Sequence, residues 1–215
     1  MPSPSDPPLL ALLSSWEPSA PRLTWYGADG ERVELSGRVL LNWVIKAANL
    51  LSTECGVSDG ASVLLDLPAH WRLLVWVIGA EALHAQVHLA DRGAAEGDAD
   101  VVVTDRPQAW SRVADVIAVP LPALARSWPE PLPAGVIDGA SELMGQPDVP
   151  VFATTTTLAA LPPTGERRLL VAHDPASLVA EATACWREGG SVVVVQGGGS
   201  LPVARIAEQE GVTPG

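Results

Sequence analysis

The sequence has few cations, and this shortage excludes a class of protein. Only 13 of its 215 residues are Lys or Arg, against 25 Asp or Glu, and Lys46 is its one lysine. Proteins that hold nucleic acid through its phosphates need clustered cations, because displaced counterions supply much of the affinity. A formal charge of −12 therefore predicts that the protein does not bind nucleic acid.

Cysteines and long apolar runs are also scarce. Cys55 and Cys185 stand far apart, with no CxxC pair beside either, so neither a disulfide framework nor a structural zinc site is indicated. The amino terminus has no cationic segment before its short apolar patch, and no apolar run reaches the roughly 20 residues that a membrane helix needs. We expect a cytoplasmic protein with no secretory signal, no membrane span and two reduced thiols.

The composition is that of a folded domain. At 47% hydrophobic and 18% charged residues, the chain is too apolar for a disordered acidic segment and long enough to bury a sizeable core. We predict one domain over residues 1–215. It consists of a first α/β segment (1–119), a connection with seven prolines (120–150) that we expect to be irregular, and a second α/β segment (151–215).

Short apolar runs alternate with helical patterns along the chain. Two strand-like runs around a Gly-Ala-Asp-Gly turn in residues 23–35 predict a β-hairpin. Ser36 is a candidate N-cap for an amphipathic helix that ends at Gly56. Apolar, strand-like runs follow at 61–67, 86–90, 101–105, 115–119, 151–157, 168–172 and 191–195, and helical patterns at 70–84, 105–114, 175–187 and 202–209. This alternation predicts an α/β fold with a parallel, doubly wound sheet flanked by helices.

A glycine-rich turn at 196–200 is the first candidate site. It follows a valine strand and precedes a helix, where backbone amides can hold a phosphate. A GxGxxG fingerprint would begin at Gly197 and Gly199, but Pro202 stands at its last glycine. A plain strand-to-helix turn is therefore the favoured interpretation, with nucleotide binding as the alternative.

Histidines give two weaker candidates. His84 and His88 have the i, i+4 spacing of metal ligands on one helical face, but a helix-to-strand switch is expected between them and no HExxH frame occurs. His173 and Asp174 end a predicted strand, where α/β sheets bind ligands. Because no GxSxG nucleophile motif is present, we interpret Asp174 as a helix cap. The sequence assigns no catalytic residue and no metal ligand, and it leaves the cofactor-binding residues unknown.

The eight tryptophans mostly occupy apolar periodic segments, so we expect them to pack in the core rather than stack on a ligand. The exception is Trp128, in the proline-rich connection.

The order of these motifs resembles the amino-terminal part of the AMP-forming acyl-CoA synthetase superfamily, the adenylate-forming enzymes. The hairpin at 23–35 resembles the family's T-Y-x-E-L hairpin, GVSDGASV at 56–63 resembles its L-G-V-x-x-G-D-x-V step, and LPA at 67–69 resembles its L-P-N/A step. VVVTD at 101–105 and ARIAEQEGVT at 204–213 resemble later segments. More narrowly, the chain is similar to short actinobacterial proteins that carry only this portion.

The resemblance implies ATP, AMP or CoA as ligands, but the family's phosphate loop, T-S-G-T-T-G-x-P-K-G, is poorly matched. Its counterpart is TTTTLAALP at 154–162, in which Thr154, Thr155, Thr156 and Thr157 keep hydroxyls. The glycines that let the backbone approach a phosphate, and the lysine that meets its charge, are missing there. The family's adenine-binding and ribose-binding segments and its catalytic lysine have no counterpart in residues 1–215.

Three functional hypotheses follow. The first is a non-catalytic, degenerate relative of adenylate-forming enzymes that acts as a binding or interaction module in acyl or lipid metabolism. The second is a subunit of an acyl-CoA synthetase or ligase, beside another protein that supplies the nucleotide site. The third and weakest is a nucleotide-binding α/β protein that uses residues 196–200.

Overall fold

The computed structural model describes residues 8–92, 99–110, 115–154, 166–197 and 201–212. Six helices, nine strands and one 3-10 helix lie within these ranges. In chain order they are α1 (Leu9–Ser14), β1 (Pro21–Tyr26), β2 (Arg32–Ser36), α2 (Gly37–Glu54), β3 (Ser62–Asp66), α3 (Trp71–Ala82), β4 (Gln86–Leu89), β5 (Val101–Thr104), the 3-10 helix (Pro107–Trp110), β6 (Asp115–Ala118), β7 (Val136–Asp138), α4 (Ser141–Gly145), β8 (Arg167–Ala172), α5 (Pro175–Arg187), β9 (Ser191–Gln196) and α6 (Val203–Glu210).

Local signals place most of these elements where the sequence predicts them. Gly30, in the hairpin turn, has a φ of 88°, which side chains disfavour and glycine adopts freely. The Ser36 hydroxyl accepts a hydrogen bond from the Val39 N–H at 3.4 Å and caps α2. The hairpin and the amphipathic helix that follows it are therefore confirmed.

The strands form two sheets. One has five parallel strands in the order β4-β3-β5-β6-β7. The other has four in the order β2-β1-β9-β8, with β1 antiparallel to β2 and parallel to β9. The predicted α/β fold, with parallel strands, flanking helices and an amino-terminal hairpin, is confirmed; the division into two sheets is a feature that the sequence did not reveal.

A helical layer lies between the two sheets. Alternate strand residues, such as Val63 and Leu65 in β3 and Val192 and Val194 in β9, join one core cluster with residues of α1, α2, α3 and α5. A Cβ on Gly79 of α3 would lie 3.1 Å from the Ala47 Cβ of α2, so this glycine lets the two helices pack closely. Among the described residues, no helix is long and apolar enough to span a bilayer.

Smaller clusters cover the opposite faces of the sheets. Ile206 of α6 packs with Val193 and Val195 of β9. Trp110, at the end of the 3-10 helix, packs with Leu64 and Val102 of the five-stranded sheet. Each sheet is thus buried on two faces, which explains why β5 and β9 are nearly continuous runs of valine.

Two sequence predictions need correction. The connection at 120–150 is not wholly irregular, because it contains β7, which pairs with β6, and the short helix α4. The strand predicted at 151–157 is wrong for residues 151–154, which have no regular structure. The Val151 N–H donates to the buried Asn49 side chain, so it is not available to a neighbouring strand. Residues 155–157 lie outside the described part.

Candidate functional site

The chain order of the five-stranded sheet reverses between β3 and β5, and doubly wound sheets bind ligands at such a point, outside the carboxyl ends of the strands. Asp66, the last residue of β3, is directly opposite Thr104, the last residue of β5. Both side chains are fully buried. A buried carboxylate at this position makes the crevice the first candidate for a functional site.

The Asp66 carboxylate is saturated by donors from its own chain. Its Oδ2 atom accepts hydrogen bonds from the Thr104 hydroxyl and the Trp110 Nε1–H, both at 2.7 Å. Arg106 donates to both carboxylate oxygens, with its Nη2 at 2.7 Å from Oδ1 and its Nε at 3.2 Å from Oδ2. Burial acts to raise the pKa of the Asp66 carboxyl, but the hydrogen bonds outweigh it and the pKa is lowered.

A second ion pair closes the outer side of this cluster. The Arg92 guanidinium donates to the two Asp105 carboxylate oxygens at 2.9 and 3.1 Å and to the Asp66 carbonyl at 3.1 Å. The Arg106 backbone N–H donates to the Thr104 hydroxyl oxygen at 2.9 Å. We call Asp66, Arg92, Thr104, Asp105, Arg106 and Trp110 the switch-point cluster. Its two carboxylates pair with its two guanidinium groups, so the charges of the cluster balance.

A buried histidine stands in the connection between β3 and α3. The His70 Nδ1 atom accepts a hydrogen bond from the Arg72 backbone N–H at 3.2 Å and caps α3. Its ring centre lies 4.7 Å from that of Trp25 in β1. Burial, with a smaller effect of the nearby Arg72 charge, lowers the pKa of His70 to about 3. Because its pKa is far below neutrality, this imidazole is a weak base, and we interpret it as a structural link between the sheets.

The buried Arg72 fixes the loop that follows β6. Its guanidinium donates to the carbonyls of Leu121, Pro122 and Ala123 at 3.3, 2.9 and 3.3 Å. The Ala123 N–H in turn donates to the Glu31 carboxylate of the hairpin at 2.8 Å. The guanidinium also lies over the Trp43 and Trp71 rings, and burial lowers its pKa to about 10. These contacts join the hairpin to the carboxyl edge of the five-stranded sheet.

The glycine-rich turn at 196–200, the first candidate that the sequence offers, is only partly described, because residues 198–200 lie outside the described part. The Gly197 N–H donates to the Ala172 carbonyl at 2.8 Å. A Cβ at Gly197 would lie 2.5 Å from the His173 Nδ1 atom and 2.7 Å from the Ala172 oxygen. Close packing between the ends of β8 and β9 therefore explains this glycine, and phosphate binding at the turn stays a prediction.

The remaining candidates have structural positions. The Asp174 carboxylate accepts a hydrogen bond from the Ser177 N–H at 2.8 Å and caps α5, as predicted. His84 follows α3 with a φ of 59°, and His88 lies in β4, so the two do not share a helical face. Within the described ranges, no group of three or more potential metal ligands occurs.

Most tryptophans pack as predicted. Trp16, Trp25, Trp71, Trp76, Trp110 and Trp186 are at most 4% exposed, and Trp43 and Trp128 are half-buried. Trp110 also donates to Asp66, a polar role that the sequence did not suggest. The sequence signal for the switch-point cluster is a polar residue at the end of each of two apolar strands: Asp66 in LLDL and Thr104 in VVVTD.

Only Thr154 of the family phosphate-loop counterpart lies in the described part. Thr154 is exposed and outside regular structure, and residues 155–162 lie outside the described part. Lys46 has partners in another part of the chain. Its ammonium group forms a 3.1 Å salt bridge with Asp148 and donates to the carbonyls of Met144 and Gln146.

These features define an α/β protein with the fold of part of an adenylate-forming enzyme. An acyl-CoA synthetase from Brucella canis superposes with a TM-score of 0.72 at 18% identity, covering 94% of this chain and 46% of its own. An acetoacetyl-CoA synthetase from Streptomyces lividans gives 0.71 at 17% identity, with 97% and 41% covered. An amide bond synthetase from Marinactinospora thermotolerans gives 0.64 at 17% identity, with 94% and 46% covered.

The predicted resemblance to adenylate-forming enzymes is thus confirmed for the fold, and the chain spans less than half the length of these enzymes. No protein-family model matches the chain. A protein of Mycobacterium tuberculosis, whose name gives a family and no activity, is 44% identical over 73 residues, which are 31% of this chain and 30% of the relative.

Proposed function

We propose that this protein is a non-catalytic relative of adenylate-forming enzymes that acts as a binding or interaction module in acyl metabolism, in the cytoplasm. The observation that carries the proposal is the switch-point cluster. Its buried carboxylate already has four hydrogen-bond donors, all from its own chain. A group so engaged is unsuited to act as a base or to hold a ligand, since either role would require breaking buried charged hydrogen bonds.

The single lysine of the chain supports the same proposal. A nucleotide phosphate needs free ammonium, guanidinium or backbone N–H donors. All three donors of Lys46 are used within the chain, and the sequence at 154–162 has neither a lysine nor a glycine. Cys55 and Cys185 are both free thiols, as a reducing compartment would keep them.

Pyrophosphate exchange tests the proposal directly. Purified protein is incubated with ATP, labelled pyrophosphate and a panel of short, medium and long carboxylic acids, with a full-length acyl-CoA synthetase as the positive control. We expect no exchange above the protein-free blank. A thermal-shift series with ATP, AMP, CoA and acyl-CoA runs in parallel, because a ligand of the native state raises the melting temperature by mass action. Robust exchange by this chain alone would overturn the proposal.

A second candidate function is a subunit role beside a protein that supplies the nucleotide site. It is favoured by an apolar surface segment, residues 144–151, which we call the strap. The buried Asn49 side chain of α2 donates to the carbonyls of Pro147 and Val149 and accepts from the Val151 N–H, each at 3.0 Å.

The fixed strap presents apolar side chains to solvent. Met144, Val149 and Val151 are 59%, 65% and 53% exposed. Exposed apolar residues held in one place are a common feature of protein interfaces. For this role we expect co-purification with a ligase partner that is lost in a Val149→Asp, Val151→Asp double variant and kept in an Ala125→Asp control. A strictly monomeric protein without a retained ligase would rule out the subunit role.

A further inference from the structure

Helix α6 has few apolar contacts with the four-stranded sheet, on the face that points away from the helical layer. Of its eight residues only Ile206 and Ala207 are buried. Ile206 packs with Val193 and Val195 of β9. In the described part, α5 packs along both β8 and β9, whereas α6 approaches no helix or strand over a comparable length. Apolar packing alone therefore gives α6 a weak attachment to the sheet.

The rest of the attachment centres on one carboxylate, that of Glu210, the last residue of α6. Its Oε1 atom accepts hydrogen bonds from the Tyr26 hydroxyl at 2.6 Å and from the Arg32 Nη2 atom at 2.8 Å. The Arg167 Nη2 atom lies 3.0 Å from Oε2, and its Nη1 atom donates to the Glu210 carbonyl at 2.9 Å. Because these partners belong to β1, β2 and β8, one residue joins the helix to three strands.

The Glu210 carboxylate is charged, and its cationic partners are in reach of water. Burial acts to raise the pKa of this carboxyl, but the hydrogen bonds from Tyr26 and Arg32 outweigh it and the pKa is lowered. The Glu210 side chain is 8% exposed, whereas those of Arg32 and Arg167 are 44% and 28% exposed. Loss of the carboxylate should therefore release α6 without leaving a dry, unpaired charge in the sheet.

An apolar strip lies beneath α6. Val193 and Val195 of β9 are fully buried and are bordered by Leu169 of β8. Within the described ranges, every member of this cluster that lies outside the sheet belongs to residues 201–212. Val171, directly opposite Val195 in the sheet, is already 40% exposed. Lifting α6 would uncover this strip, with a tyrosine hydroxyl and two guanidinium groups beside it.

We propose that α6 is a latch that opens as a unit, and that the strip beneath it is a docking site for an amphipathic helix of a partner protein. The partner helix presents an apolar face to the valines of β9 and a carboxylate to Arg32 and Arg167, because these are the contacts that α6 itself makes. The two helices compete for one place, so the closed latch blocks the surface until the partner displaces it. The inference rests on the proposed binding role and names a surface for it.

Hydrogen–deuterium exchange of the full chain tests the latch. We expect the α6 amides to exchange about tenfold or more faster than those of α5, through an opening that urea hardly changes because it exposes little surface. Glu210→Gln removes the charge and should speed α6 exchange by a further factor of about ten, with α5 unchanged. Glu208→Gln, at an exposed position of the same helix, is the matched control and should leave both rates unchanged. Exchange of α6 only together with α5, or no effect of Glu210→Gln, would refute the latch.

A fluorescent peptide of residues 201–212 with blocked ends tests the docking site. It should bind the Glu210→Gln chain saturably and about tenfold or more tightly than it binds the wild type, because its glutamate restores the contacts that the resident glutamine has lost. The same peptide with Glu210→Gln should bind this chain more weakly. Absence of saturable binding, or equal binding of the two peptides, would overturn the docking site. Pyrophosphate exchange by a chain whose α6 opens as expected would overturn only the non-catalytic role, so the two failures are distinguishable.

Discussion

Replacing Asp66 by Asn should destabilise the protein strongly while preserving its shape. The carboxylate of Asp66 accepts hydrogen bonds from Thr104, Trp110 and Arg106. An amide keeps one acceptor oxygen, but its NH₂ group is itself a donor and would face donor groups in place of the second oxygen. Removing one partner of a buried ion pair costs roughly 3–5 kcal/mol. Arg106 is 35% exposed and regains some hydration, so we expect a loss near the lower end, about 3 kcal/mol at pH 7.

Urea unfolding followed by tryptophan fluorescence measures this loss as the difference in extrapolated free energy of unfolding. Asp105→Asn is the matched control, since its ion pair with Arg92 is partly exposed and is worth at most about 1 kcal/mol. A variant of Asp66 that lost no more than this control would refute our interpretation of the cluster.

The pH dependence gives a second check on the same variant. The pKa of Asp66 is lower in the folded than in the unfolded chain, so its stabilisation is present above the unfolded value of about 3.9 and is lost as pH falls through the folded value. The difference between wild type and Asp66→Asn should therefore be constant from pH 6 to 8 and narrow below about pH 4. A gap that widened in acid would contradict the ionised, paired carboxylate.

Three further predictions concern other parts of the fold. Burial lowers the pKa of His70 to about 3 in the folded protein. As the pH falls below about 6.5, the unfolded chain binds a proton at His70 and the folded protein does not, so the free energy of unfolding should fall by about 1.4 kcal/mol per pH unit. His70→Asn, which still caps α3, should remove that slope in urea titrations. Gly197→Ala should cost about 1–3 kcal/mol through its backbone clash, whereas Gly145→Ala, with open space around it, should not destabilise in thermal melts. Asn49→Ala removes three hydrogen bonds to the strap and should lower the free energy of unfolding by about 3 kcal/mol. It should also speed proteolysis at 144–151, whereas the control Asn42→Ala on the same helix should leave the cleavage rate unchanged.

Local signals in the sequence determined most of the elements and the fold class. The hydroxyl of Ser36 and the carboxylate of Asp174 cap the helices that follow them. The glycines of the hairpin turn, and the short apolar runs that alternate with helical patterns, indicated where the strands lie. These signals act over a few residues, through backbone geometry and one or two hydrogen bonds, so the sequence itself carries them.

The pairing of strands was decided only in three dimensions. Leu23 of β1 is opposite Val192 of β9, and the hydrogen bonds between such residues leave no trace in the local sequence. The short strand β7 was missed for the same reason: its three residues are ordinary in a proline-rich stretch, and only the neighbouring strand β6 makes them a strand.

The candidate sites divide in the same way. The sequence by itself determined that the chain is acidic, that its one lysine is Lys46, and that its threonine row lacks the residues of a phosphate loop. Only the tertiary structure decided that Asp66 meets Thr104 and Arg106 and that Glu210 meets residues of three strands. The physical reason is that a charge is a property of one residue, whereas burial and partnership depend on residues brought together from distant parts of the chain.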